Sequence, residues 1–387
     1  MSPRTCDYVA KKSDPESWHG TGSSTFYVDR SPTRGGLGTE EWHCPHPPLD
    51  RDDSSDDAGN NQYCVFHTDP ADVPNDINES EALLDALQNA GNSPRADRPE
   101  HRGQFVGATF KALDLSGETV TATDHHDVRF DHAKFESNDS SLDFRETKFV
   151  TEGNHPISFA GTEFIATEGG HLLFHGAMFR SDGEGYVRFP GATFRTDGKG
   201  DVAFGDATFR TDGKGDVRFS DTTFQADCDG NVWFQDATFR TNDEGQVRFP
   251  GAVFRTVGKG HVKFVNTTFR THDMGDVVFR DTTFRTHDMG DVKFHHATFR
   301  TNDEGQVRFR NARFQTEDRG DIGFRDAMFR KDGNGDVRFR DVILTDVDFR
   351  WSEFAGVDLG GVDLTGTDLR GANVEEVAVN GSTTCQR

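Results

Sequence analysis

Tyr186-Val187-Arg188-Phe189-Pro190-Gly191-Ala192-Thr193-Phe194-Arg195-Thr196-Asp197-Gly198-Lys199-Gly200 is one of a series of near-copies that run without slippage along most of the chain. Val187 and Phe189 alternate with polar residues, and so do Ala192 and Phe194. An apolar residue at every second place is the pattern of a half-buried strand. The unit therefore reads as two short strands joined by two residues and closed by a turn. The Phe pair recurs at spacings of five and ten from Phe159/Phe164 to Phe324/Phe329, and the last pair is Phe339/Leu344, so the 15-residue unit occurs in thirteen copies. Two earlier units, Phe130/Phe135 and Phe144/Phe149, fit with one residue deleted between them.

This register decides what an unusual composition means. The chain has 387 residues, 33% of them hydrophobic, with 41 Gly, 35 Phe and a formal charge of −23. Such a chain lies near the border of disorder. Placement argues against that, because 33 of the 35 Phe fall in the register or in its flanking five-residue steps. No apolar run is long enough for a membrane span. The start, MSPRTCDYVAKKSDPE, shows no apolar signal region, so a cytoplasmic location is expected. Five Cys are too few for a disulfide scaffold. Asp and Glu number 66 against 43 Lys and Arg. An Asp-rich, Lys-poor surface is similar to that of halophilic proteins, where acid keeps the chain soluble in concentrated salt.

A strand–strand–turn unit cannot bury its apolar face alone, but stacked units can, so the repeat predicts a β-solenoid. The Gly at 200 recurs at 215, 230, 245, 260, 275, 290, 305, 320 and 335, which reads as a turn with positive φ. In 20-residue coils Phe189 would stack on Phe209 and then on Asp229, burying an unpaired charge. A 15-residue coil puts Phe on Phe and turn on turn. Mostly 15-residue coils, three-sided or two strands plus a turn, are therefore expected over 130–344, giving a rod roughly 70 Å long.

Residues 349–379 lose the long turn and repeat every five: Phe349, Phe354, Leu359, Leu364, Leu369, Val374, Val379. Phe105, Phe110, Leu115 and Val120 show the same step near the other end. Val357-Asp358-Leu359-Gly360-Gly361-Val362-Asp363-Leu364 resembles the pentapeptide-repeat family, whose unit is A-(D/N)-L-x-x. The resemblance covers residues 103–380 and is looser where the period is 15. It implies an all-β fold, a right-handed parallel β-helix, with four pentapeptide faces per 20-residue coil; the last fives can widen to that form. It also implies an alternative function, since some members look like duplex DNA and bind DNA gyrase or topoisomerase as mimics. The Arg stripe described next and the narrow coil depart from that pattern.

Outward positions of stacked coils form ladders. After each second Phe stand Arg180, Arg195, Arg210, Gln225, Arg240, Arg255, Arg270, Arg285, Arg300, Gln315 and Arg330, which reads as one guanidinium stripe. Asp columns such as Asp206, Asp221 and Asp236 can pair with it. A lattice of solvated ion pairs is one reading. A polyanion-binding face is a second alternative, weakened by the net acidity and by the lack of interleaved aromatics, so nucleic acid is not the expected partner. The turns resemble fragments of calcium loops, but the slot of Asp197 becomes Asn242, Val257 and His272. His261, His272, His287, His295 and His296 sit in variable outward slots without a partner at catalytic spacing. The solenoid is therefore expected to be non-enzymatic.

Residues 1–75 differ in kind. Cys6, Trp42-His43-Cys44-Pro45-His46 and Tyr63-Cys64-Val65-Phe66-His67 supply the inventory of a structural Cys₃His zinc site. The expected ligands are Cys6, Cys44, Cys64 and His67, with His46 as the alternative to Cys6 or an addition to it. Trp42, Tyr63 and Phe66 can form a small core around them. Residues 76–102 read as one short helix, with Leu83, Leu84 and Leu87 on its apolar stripe, followed by a polar linker at 92–102. A solenoid end exposes unpaired edge, so this helix or the zinc module is expected to cover the first coil. Residues 381–387 are a tail. Together these readings predict a scaffold that presents a long surface to a protein partner.

Overall fold

The computed structural model describes residues 6–18, 41–49, 62–88, 103–138, 140–316, 320–344 and 346–379. The 92–102 linker, the 381–387 tail and Cys385 lie outside them. From residue 103 onward the chain winds as a parallel β-solenoid with four sheets, three of nine strands and one of seven. One 30-residue turn visits all four sheets through the strands Val187–Arg188, Thr193–Gly198, Val202–Ala203 and Thr208–Thr211.

The expected 15-residue coil is corrected by the strand register. Phe194 pairs with Phe224 and Val187 with Val217, a 30-residue step. Each 15-residue unit contains one tight corner and one long turn, so it carries the chain only half-way round. Two units close the coil. The step is 25 at the N-terminal end (Phe110 with Phe135), 29 next (Val120 with Phe149), and falls to 25 and 20 at the C-terminal end (Phe329 with Phe354, Val337 with Val357). The terminal fives thus form four-sided 20-residue coils, and the 30-residue coil is that form with five extra residues at each long turn. With nine strands in a sheet and one bridged rung beyond each end, the rod is about 50 Å long, short of the expected length.

Each rung holds four inward rings, such as Phe189, Phe194, Phe204 and Phe209, all buried. Within a rung the neighbours meet tilted or edge-on, at 5.7 Å for Phe189–Phe194 and 5.3 Å for Phe194–Phe204. Between rungs they stack face to face, Phe189 on Phe219 at 4.8 Å with planes 3° apart. Four continuous Phe columns therefore make the core. The extra five residues place a small buried residue beside two of the four columns, Thr196 after Phe194 and Thr211 after Phe209.

The tight corners use left-handed backbone at Gly191, Asp206, Asp221 and Asn266, residue types that tolerate it. The recurrent Gly at 200, 215, 230 and 245 does not; its φ lies outside that region, which corrects the expected positive-φ turn. Its cause is close approach between coils. A Cβ on Gly245 would stand 2.4 Å from the Gly215 carbonyl oxygen and 2.8 Å from Thr211 Cβ. Gly245→Ala is therefore expected to lower stability by about 1–3 kcal/mol. Gly169→Ala, which meets nothing within 4 Å, should stay within about 0.5 kcal/mol of the parent in the same denaturant titration. Among the described residues no helix is long and apolar enough to cross a membrane.

A candidate metal centre in the N-terminal cap

The module ahead of the solenoid is small and tied by backbone pairing. Strand β1 (Val9–Lys11) runs antiparallel to β2 (Glu41–His43). Cys6 N–H donates to the His46 carbonyl at 2.9 Å, and Cys44 N–H to that of Tyr8 at 3.1 Å, which brings two distant cysteines together. Cys64 and His67 share one tight turn, closed by His67 N–H to the Cys64 carbonyl at 3.1 Å. Trp42 and Phe66 are buried beside them, and the Tyr8 ring stacks on His67 at 3.7 Å.

Cys6, Cys44, Cys64 and His67 converge, with one donor atom from each lying within 4.8 Å of all the others. Cys44 Sγ is 3.6 Å from Cys64 Sγ, and His67 Nδ1 is 3.2 Å from Cys64 Sγ and 3.9 Å from Cys6 Sγ. A disulfide needs about 2.05 Å between sulfurs. A tetrahedral ion with metal–sulfur bonds of about 2.3 Å sets sulfurs about 3.8 Å apart. The donor set and its spacing fit a structural metal. Burial pushes the Cys44 and Cys64 thiols up, while hydrogen bonds from Cys44 and Cys64 hold Cys6 down. Three sulfurs gathered in a buried site can ionise together only beside a cation, and a dication would supply that compensation. Binding must displace thiol protons, so metal retention is expected to weaken as pH falls, checked by metal content after dialysis across a pH series.

His46 is outside the cluster. Its ring is buried, stacked at 5.0 Å on Phe105, and its Nε2 lies 2.9 Å from the Gln104 carbonyl oxygen. The four candidate ligands thus stand together, and the fifth has another task.

That task is shared. The first coil starts with an unpaired edge, and the chain ahead of it pairs that edge group by group. His46 Nε2 meets Gln104 O at 2.9 Å, and His67 Nε2 meets Val106 O at 2.9 Å. Thr109 N–H donates to the Phe66 carbonyl at 3.0 Å. Helix α1 (Glu79–Gln88) adds the rest: Glu79 accepts from Lys111 N–H at 3.2 Å and Ala112 N–H at 3.1 Å, and Ser80 Oγ accepts from Asp114 N–H at 2.8 Å. Asn78 caps α1 by accepting from Ser80 N–H at 2.8 Å. Phe66 covers the rings of Phe105 and Phe110 at 5.0 and 5.9 Å. Module and helix together cover the first coil, where sequence reasoning named one or the other. Trp42 Nε1 donates to Gln104 Oε1 at 2.9 Å, and Gln104 reaches the buried Asp127, which pairs with Arg129. No spacing in the sequence signals this network.

The single Arg stripe is also corrected. Because two units make one coil, its members alternate between two sheets: Arg180, Arg210 and Arg240 on one, Arg195, Gln225 and Arg255 on another. Carboxylates bridge the rungs, as where Asp212 meets Arg210 at 2.7 Å and Arg180 at 3.1 Å. Asp332 joins Arg330 and Arg300 in the same way. Of the outward histidines, His272 sits beside Asp273 at 3.0 Å and Asp303 at 3.5 Å on the surface of the rod.

The family model for Pentapeptide repeats matches residues 335–377 in eight copies. No curated protein matches the chain. Among solved structures the chain is similar to HetL, a pentapeptide repeat protein involved in heterocyst differentiation regulation from the cyanobacterium Nostoc sp. strain PCC 7120. Identity is 12%, TM-score 0.19, and the match covers 69% of this chain and 87% of that one. The matched segment is where the coil falls to its 20-residue form and the five-residue inserts stop. Residues 335–377 thus match the pentapeptide-repeat model, and the chain that carries them is a parallel β-solenoid.

Proposed function

We propose that the protein is a non-enzymatic scaffold whose solenoid faces bind a protein partner, and that a structural zinc ion held by Cys6, Cys44, Cys64 and His67 fixes its N-terminal cap. One observation carries the scaffold reading: the outward rows run in register along the sheets, and carboxylates bridge part of their guanidinium groups, as in the Arg180–Asp212–Arg210 chain. Mixed, paired charge suits recognition by another protein surface. A polyanion would need the guanidinium groups free of carboxylates. Three thiolates and one imidazole form a closed ligand set, which suits a structural zinc rather than a catalytic one.

Retention on double-stranded DNA across a salt series separates these readings. The scaffold reading expects weak retention with a shallow salt slope; a steep slope would favour polyanion binding by the Arg rows. A gyrase supercoiling assay forms the second arm. Inhibition by the full chain that survives charge reversal of Arg210 and Arg240 would favour the DNA-mimic alternative over a general scaffold.

A further inference from the structure

We propose that the Cys₃His centre is a latch on the N-terminal edge of the solenoid, and that release of its metal uncovers this edge for pairing with a second copy of the chain. The inference rests on the zinc reading above and adds a consequence to it. His67 faces both ways: Nδ1 points into the sulfur cluster, 3.2 Å from Cys64 Sγ, while Nε2 holds the Val106 carbonyl oxygen at 2.9 Å. A metal on Nδ1 fixes the proton on Nε2, so the donor that closes the edge is set by the ligand bond. Cys64 and Cys44 lie two places before Phe66 and His46, which cover Phe105 and the Gln104 carbonyl oxygen. The β1–β2 ladder of three residue pairs is too short to hold these groups without the ion.

What lies beneath is an edge with its own templates. Removal of the cap would expose the Gln104 and Val106 carbonyl oxygens, the Thr109 N–H and the rings of Phe105 and Phe110, all now covered. Such an edge pairs with another strand unless it is blocked. The occupant is a second copy, head to head. Its N-terminal coil has the same 25-residue step, whereas the C-terminal coil has a 20-residue step and a different perimeter. A two-fold axis across the end would place like strands antiparallel and set the Phe105 and Phe110 rings of the two copies against each other.

The test follows the full chain through zinc loading, chelation and zinc restoration, reading metal content, mass in solution and amide exchange. The expected result is that chelation lowers protection of residues 104–114 by about 100-fold, leaves 187–340 protected, and doubles the mass; zinc restores all three. Thr109→Pro removes an edge donor and should keep the chelated chain monomeric although its edge still exchanges fast. A chelated chain that stays monomeric with 104–114 protected overturns the latch while leaving the zinc reading intact. A doubled mass that persists in Thr109→Pro overturns the edge pairing. A chain that takes up no zinc overturns the zinc reading and the latch together.

Discussion

Replacing Phe249 by Ala is expected to cost the solenoid about 3–5 kcal/mol, as large buried rings do when deleted from a packed core. Phe249 is fully buried, stacked on Phe219 at 4.9 Å and on Phe279 at 4.8 Å, and meets Phe239 edge-on at 5.5 Å. Its removal leaves a gap in one column, and the rungs on either side are held at strand spacing and cannot close it. Paired substitutions read the coil length directly. Phe249 and Phe279, two repeat units apart and stacked, should couple by about 0.5–1.5 kcal/mol in a double-mutant cycle. Phe249 and Phe264, a single unit apart, should couple far less; a larger coupling for that pair would restore the 15-residue coil.

Replacing Cys64 by Ser should have the second large effect. Cys64 is buried, touches both Cys44 Sγ and His67 Nδ1, and its N–H points to Cys6 Sγ at 3.2 Å. The variant should lose the metal and most order in residues 6–18 and 41–49. Structural zinc contributes on the order of 10 kcal/mol in small modules that lack a large core. The middle of the rod should stay folded, because each coil contacts only its neighbours. Two unfolding transitions are therefore expected in the variant, the earlier one confined to the cap. His46→Ala should behave differently: it should keep the metal and loosen the edge, because His46 holds Gln104 and no ion.

The core was legible because one residue type marks it. Alternation around each Phe gives the strands, and the 15-residue register gives the stacking. Coil length was not legible, since steps of one unit and of two both place Phe194 on another Phe and Gly200 on another Gly. Only the turning angle decides, and it depends on corners at Gly191 and Asp206 whose backbone the sequence does not print. The Gly column misled for a related reason. A Gly can mark left-handed backbone or close approach, and here the carbonyl of the preceding coil is what excludes a Cβ. In the cap, Cys64 and His67 were legible from their short spacing. Cys6 and Cys44 were legible only by residue type, because β1 and β2 bring them together across a long separation. The covering roles of His46, Glu79 and Ser80 were not legible, because they answer to backbone groups of the first coil rather than to any pattern of their own.

Metal content tests the N-terminal centre most directly. Elemental analysis of the folded chain, repeated after cobalt exchange and read by absorption, should give one metal ion per chain, with sulfur-to-cobalt charge-transfer bands and the spectrum of a tetrahedral site. A folded chain that holds no metal, yet keeps Cys6, Cys44 and Cys64 unreactive and residues 104–114 protected, would contradict it.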